Sequence, residues 1–178
     1  MIFPHKNAGN NLLRSILFLL VIGLFFISWS CTTGKKEKLE IGDQAPTFSV
    51  KDLSGTPINL ANYKDRPVII RFFTTDCKYC KADTPVFVEY YEKHKNKGLQ
   101  LLYITTTQDK KTVENFQREL NIPFPVIIDR DKAITKLYRV KLVPQTVILD
   151  ANHKIIGAIL GGVARQEIDE LLGSALNR

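Results

Sequence analysis

Val68-Ile69-Ile70-Arg71-Phe72-Phe73, then Thr74-Thr75-Asp76, then Cys77-Lys78-Tyr79-Cys80 reads as a strand handing over to a helix, with two cysteines just past the junction. Apart from Arg71 the first six residues are β-branched or aromatic, the make-up of a buried strand. Beyond the cysteines, Lys81-Ala82-Asp83-Thr84 leads through Pro85 into a helical stretch ending near Lys95. A thiol at a helix N-terminus faces unpaired backbone N–H groups and the positive end of the helix dipole, and both favour thiolate. Such thiols titrate at roughly 3.5–7.5 instead of about 8.5. Thiolate is the attacking species in disulfide exchange, and a second thiol one turn away can resolve the mixed disulfide. The placement therefore predicts redox chemistry at Cys77 and Cys80.

Two structural uses of the pair compete with that reading. A disulfide of an exported protein is one, but a bridge closing so short a loop restrains the unfolded chain little, because the gain grows with loop length. Half of a zinc site is the other, and it needs two more soft ligands. His5, His94 and His153 do not supply them at metal-like spacing. His94 lies in the polar run Lys93-His94-Lys95-Asn96-Lys97 and His153 in a turn after Asp150, so both are expected at the surface. No metal or other cofactor is expected.

The third cysteine belongs to a different segment. Lys6 and Arg14 form a positive start, Ile16 to Ile27 is an apolar run, and Ser28-Trp29-Ser30-Cys31 follows. The 14 positions from Ile16 to Trp29 fall short of the roughly 20 that span a bilayer. They fit a signal h-region better. Ser30 before Cys31 resembles a bacterial lipoprotein processing site, with Cys31 as the lipidated residue; an uncleaved signal anchor and ordinary cleavage stay open. All three place the rest of the chain outside the cytoplasm, in a bacterial cell envelope. Residues 1–31 are thus expected to be a signal or anchor, 32–40 a polar, basic tether, and 41–178 one domain. The formal charge of +7 falls to +5 without Lys6 and Arg14, and no basic run is interleaved with aromatics. Nothing in this pattern calls for a nucleic-acid partner.

Within the domain, Ile41 to Val50 and Asp52-Leu53-Ser54-Gly55-Thr56-Pro57 predict a small hairpin. After the cysteine helix, closed near Gly98, come a strand over Leu99 to Thr105 and a helix over Thr112 to Leu120. Val126-Ile127-Ile128 is a short strand and Ala133 to Tyr138 a short helix. Thr146 to Leu149 and Lys154 to Leu160 make two further strands, and Arg165 to Leu176 an amphipathic helix. The order predicts an α/β domain with a mixed sheet covered by helices.

With a strand, a Cys-x-x-Cys helix and Val143-Pro144 leading a later strand, the chain resembles the thioredoxin fold. More narrowly it is similar to the membrane-anchored, extracytoplasmic TlpA/ResA-type thioredoxins, from about Ile41 to Leu176. Gly42-Asp43-Gln44-Ala45-Pro46-Thr47-Phe48 with Asp52-Leu53-Ser54-Gly55 resembles the N-terminal hairpin this group shares with peroxiredoxins of the AhpC/TSA type. The stretch around Lys110 to Phe124 resembles its insertion helix. The resemblance implies a mixed central sheet flanked by helices, with that hairpin and that insertion added. It further implies a thiol–disulfide oxidoreductase with a redox-active Cys77–Cys80 disulfide, Cys77 the exposed attacking thiolate and Cys80 the buried resolving thiol. Pro144 would be a cis-proline opposite them, Val143 and Tyr79 would contact substrate, and Pro85 would kink the helix. Asp83, three residues after Cys80, matches a Glu of ResA-type proteins; it would shuttle a proton or raise the thiol pKa. The implied partners are protein disulfides, a membrane thiol reductase as electron donor, and the membrane itself.

Three positions depart from the pattern. Asp76 replaces the usual Trp beside the first cysteine. Arg71 occupies the place of thioredoxin's buried Asp, where a cation would lower the thiol pKa if it points inward. Lys78-Tyr79 is neither Gly-Pro nor Glu-Pro, and these residues tune redox potential. Two other activities use related folds: a peroxiredoxin-type peroxidase, suggested by Thr74 and the N-terminal pattern, and a Sco-type copper-binding module, which needs a histidine beside two cysteines.

Overall fold

A computed structural model describes residues 39–176. Residues 1–31 with Cys31, and all but the last two residues of the tether, lie outside them. Strands β1 (Ser49–Lys51) and β2 (Pro57–Asn59) form an antiparallel hairpin, closed by Gly55 at φ 87°. The main sheet holds β3 (Val68–Phe73), β4 (Gln100–Thr105), β5 (Val126–Ile128), β6 (Gln145–Leu149) and β7 (Ile155–Leu160). Its spatial order is β5-β4-β3-β6-β7, with β3, β4 and β5 parallel and β6 and β7 antiparallel to their neighbours. Helices α1 (Lys78–His94) and α2 (Lys110–Glu119) fill the two parallel crossovers. Helix α3 (Ala133–Leu137) precedes β6, and α4 (Arg165–Leu176) closes the domain. This is the thioredoxin arrangement. Among the described residues no helix is long and apolar enough to cross a membrane.

Strand β3 sits at the centre and is buried on both faces, as parallel strands between helical layers are. Its alternation assigns the faces. Ile69 and Phe73 join the cluster made with α1, α2 and α4, including Phe87, Phe116, Ile168 and Leu172. Val68, Ile70 and Phe72 join the cluster under the hairpin and α3, with Ile58, Ile134 and Tyr138. Arg71 is in phase with Ile69 and Phe73 and therefore points toward α1.

Two expectations fail here. His94 and His153 are buried, 7% and 6% exposed, where the polar sequence around them predicted surface positions. His153 stands at φ 58°, and its Nε2 lies 3.0 Å from the Tyr63 carbonyl oxygen. His94 packs on Tyr90 with ring centroids 4.5 Å apart and the planes tilted by 36°, and neither ring nitrogen has a hydrogen-bond partner among the described residues. The packing that removes the ring from water decides its place, because every third or fourth residue of α1 faces the core.

Burial pushes the His94 imidazole below its ordinary 6.5, helped by Lys93 and Lys97 and opposed by Asp169. A depressed histidine contributes stability above the unfolded pKa, and that stability is lost as pH falls from 6.5 through the lowered folded value. His94→Phe keeps the packing and removes the titration. Urea melts at about pH 7.5 and about pH 5.5 are expected to give a smaller stability loss for His94→Phe than for the parent chain. Equal losses would show that His94 does not titrate in this range.

Candidate active site

At the end of β3 the chain turns through Thr74 to Asp76. The Thr75 N–H lies 3.4 Å from the Thr107 hydroxyl, which ties this turn to the end of β4. Cys77 is the N-cap of α1, and its Sγ accepts from the Cys80 N–H at 3.1 Å. That bond satisfies one of the four orphan donors of the helix start and would stabilise negative charge on the same sulfur. Cys77 and Cys80 form a disulfide with Cα atoms 5.2 Å apart. Cys77 is half-buried, whereas Cys80 is 1% exposed. Beside them Tyr79 projects into solvent, and the Lys78 ammonium lies 5.1 Å from its ring centroid.

Register brings Pro144 to the same end of the sheet. Phe72 pairs with Gln145 across β3 and β6, so Pro144 stands beside the last residue of β3. The Val143–Pro144 peptide is cis, Pro144 is buried, and Val143 is half-buried. The Pro144 carbonyl accepts from the Gly161 N–H at 2.8 Å. Gly161 takes φ 105°, a conformation that needs glycine, and so turns the chain after β7 back over the proline loop.

Beneath these elements lies an ion pair that sequence reading missed. Arg71, fully buried, pairs through Nη2 with Asp83 Oδ2. Its Nη1 donates to the Thr146 hydroxyl at 2.6 Å and to the Gly161 carbonyl at 3.2 Å, and its guanidinium lies 4.9 Å from the Phe87 ring centroid. Asp83 Oδ2 also accepts from the Val163 N–H at 3.2 Å. One pair thus joins α1, β3, β6 and the loop after β7. Asp83 is buried in α1. It sits a turn beyond Cys80, on the buried face with Thr84 and Phe87. Burial pushes its carboxyl up and Arg71 pulls it down, with burial the larger effect. The same burial lowers the Arg71 guanidinium, opposed by Asp83. Asp83 Oδ1 is buried with no hydrogen-bond partner among the described residues.

The alternation of β3 and the Cys80-to-Asp83 spacing were signals enough to find this pair. The buried histidines lie elsewhere: His94 ends α1, some 25 Å from its start at about 1.5 Å per residue, and His153 follows the far end of β6 from Pro144. Among the described residues no three His, Cys, Asp or Glu side chains gather as a metal site would require.

A half-exposed cysteine bonded to a sealed one at a helix start suits thiol–disulfide exchange, and the chain's relatives point the same way. The AhpC/TSA family pattern matches residues 41–158. The chain belongs to the AhpC/TSA family. Within that family it is 33% identical over 165 residues to the thiol–disulfide oxidoreductase ResA of Bacillus cereus, covering 92% of this chain and 95% of the relative. ResA of Bacillus subtilis is 26% identical over 157 residues, 88% of each protein. The fold matches a thiol:disulfide interchange protein of the thioredoxin family from Chlorobium tepidum at TM-score 0.70 and 22% identity, over 77% of this chain and 98% of that one. It also matches a secreted Mycobacterium tuberculosis disulfide oxidoreductase at TM-score 0.64 and 22% identity, over 71% and 95%. This AhpC/TSA member is a thiol–disulfide oxidoreductase.

Proposed function

We propose that the chain is a membrane-anchored reductant of disulfides in extracytoplasmic proteins, working through Cys77 and Cys80. The observation that carries this reading is the unequal burial of the two sulfurs. An incoming disulfide reaches Cys77, and Cys80 can be reached only from Cys77.

The Cys77 thiolate attacks one sulfur of the substrate disulfide; the other leaves as thiolate and takes a proton. Cys80, deprotonated, then attacks Cys77 Sγ, expels the second substrate thiolate, and closes the Cys77–Cys80 bond. Two electrons pass to the substrate, and a membrane thiol reductase returns two electrons and two protons to the enzyme. Val143 offers its backbone to the substrate chain and Tyr79 an exposed ring. Asp83, one turn from Cys80 and with its Oδ1 unbonded among the described residues, accepts the Cys80 proton. Pro144 closes the other side of the site.

The anchor is residues 1–31, with Cys31 as the lipidated residue, and 32–40 tethers the domain at 41–178. An alignment with ResA that covers 92% of this chain extends into the export segment, which supports a common layout. The reduction potential of the couple tests the direction of electron flow. A reductant is expected near the thioredoxin end of the scale, about −270 mV, and an oxidant near about −120 mV. A value at the oxidising end, or a dithiol form unable to reduce insulin, would overturn the reading.

A further inference from the structure

Phe73, Thr105 and Ile128 stand in one row across β3, β4 and β5. With strands about 4.8 Å apart, Ile128 lies roughly 10 Å from the end of β3, and so on the same edge of the sheet as the turn that carries Cys77. There a cavity of about 360 Å³ opens between the β1–β2 hairpin, the start of α2 and the end of β5. Its walls include Lys51, Lys110 and Arg130, with Ser54, Ile128 and a single acid, Asp52. Asp52 is engaged in its own turn: Oδ1 accepts from the Ser54 hydroxyl at 2.6 Å and the Thr56 N–H at 2.8 Å. Lys110 has Glu114 at 3.3 Å, on the exposed face of α2. Lys51 and Arg130 have no ion-pair partner among the described residues. Beyond Arg130 the chain itself is basic: Lys132, Lys136, Arg139 and Lys141 precede the Val143–Pro144 loop with Asp131 the one acid among them.

We propose that this cavity docks an acidic segment of the polypeptide whose disulfide Cys77 attacks. The inference rests on the reading that Cys77 and Cys80 serve polypeptide disulfides, and adds a charge preference to it. Unpaired cations flanking a concave site attract carboxylates and raise the encounter rate at low salt. An anionic membrane on the same face would cover the disulfide, so the occupant is the partner that brings its own disulfide to Cys77.

The test compares two synthetic peptides, each with one intramolecular disulfide and alike except for flank. One carries glutamates at successive positions from the third residue beyond the attacked cysteine, since three extended residues at about 3.3 Å cover the width from the end of β3 to Ile128; the other carries glutamines. The reduced full chain is expected to turn over the acidic peptide with kcat/KM about tenfold higher at low ionic strength, and the two rates converge in about 0.5 M salt. In Lys51→Glu/Arg130→Glu the preference disappears or reverses while the glutamine peptide and the reduction potential stay unchanged. Three results would overturn the proposal. Equal kcat/KM for the two peptides is one, and a preference that survives the double substitution is another. The third is binding to phosphatidylglycerol vesicles through Lys51 and Arg130 with no peptide preference. Loss of turnover on both peptides by the parent chain would count against the reductant reading itself.

Discussion

Cys77→Ser is expected to lower insulin reduction by about 10³-fold or more, the scale of losing a nucleophile, while Cys80→Ser stops the cycle one step later. The difference follows from where the sulfurs sit. Cys77 caps α1, half-buried, with its Sγ on the Cys80 N–H, so it can meet a substrate sulfur as thiolate. Cys80 is 1% exposed and meets only Cys77. Without Cys80 the mixed disulfide forms and cannot be resolved from within. A Cys80→Ser chain incubated with an oxidised protein should therefore run as a covalent complex on a non-reducing gel, and Cys77→Ser should give none. Equal trapping by both variants would mean that Cys80 attacks substrate directly, and the assigned roles would be wrong.

The framework of this site was legible because its signals are local. The β-branched run before the cysteines, the two-residue spacing of Cys77 and Cys80, and Gly98 past the helix each act through neighbours in sequence, and the strands and helices fall within a few residues of expectation. The local phase of Arg71 and Asp83 was there to read, but the partners that complete their network were not. Arg71 meets residues 75 and 90 positions away at Thr146 and Gly161, and Asp83 meets Val163. Taken one at a time, Arg71 and Asp83 were each read against the thiols, as a cation that would lower their pKa and an acid that would shuttle a proton or raise it, and not against each other. His94 shows the opposite failure. Four polar neighbours suggested solvent, but helical phase and the Tyr90 ring placed it inside.

Arg71→Met is the substitution expected to cost the most stability, about 3–5 kcal/mol, because it leaves a buried carboxylate without its cation. The cost should depend on pH in an unusual sense. Burial already pushes the Asp83 carboxyl above its ordinary 3.8 against the pull of Arg71, and removing Arg71 pushes it further up. A carboxyl whose folded pKa is raised contributes stability below its unfolded pKa and loses it as pH rises through the folded value. The deficit of Arg71→Met relative to the parent chain is thus smallest in acid and grows toward neutrality. Urea melts at about pH 4.5 and about pH 7.5 measure it. Adding Asp83→Leu removes the stranded carboxyl, and since apolar replacements of buried pairs are often neutral, the double variant should recover most of the loss and its pH dependence. That recovered protein separates folding from positioning. It lacks the bonds from Arg71 to the Gly161 carbonyl and from Val163 to Asp83, which hold the loop packed on Pro144. KM for insulin should rise in it, while reaction of reduced Cys77 with a small aromatic disulfide is slowed far less. A deficit independent of pH would show that the Asp83 charge is not what Arg71 offsets, and an unchanged KM would show that the pair does not position the loop for substrate.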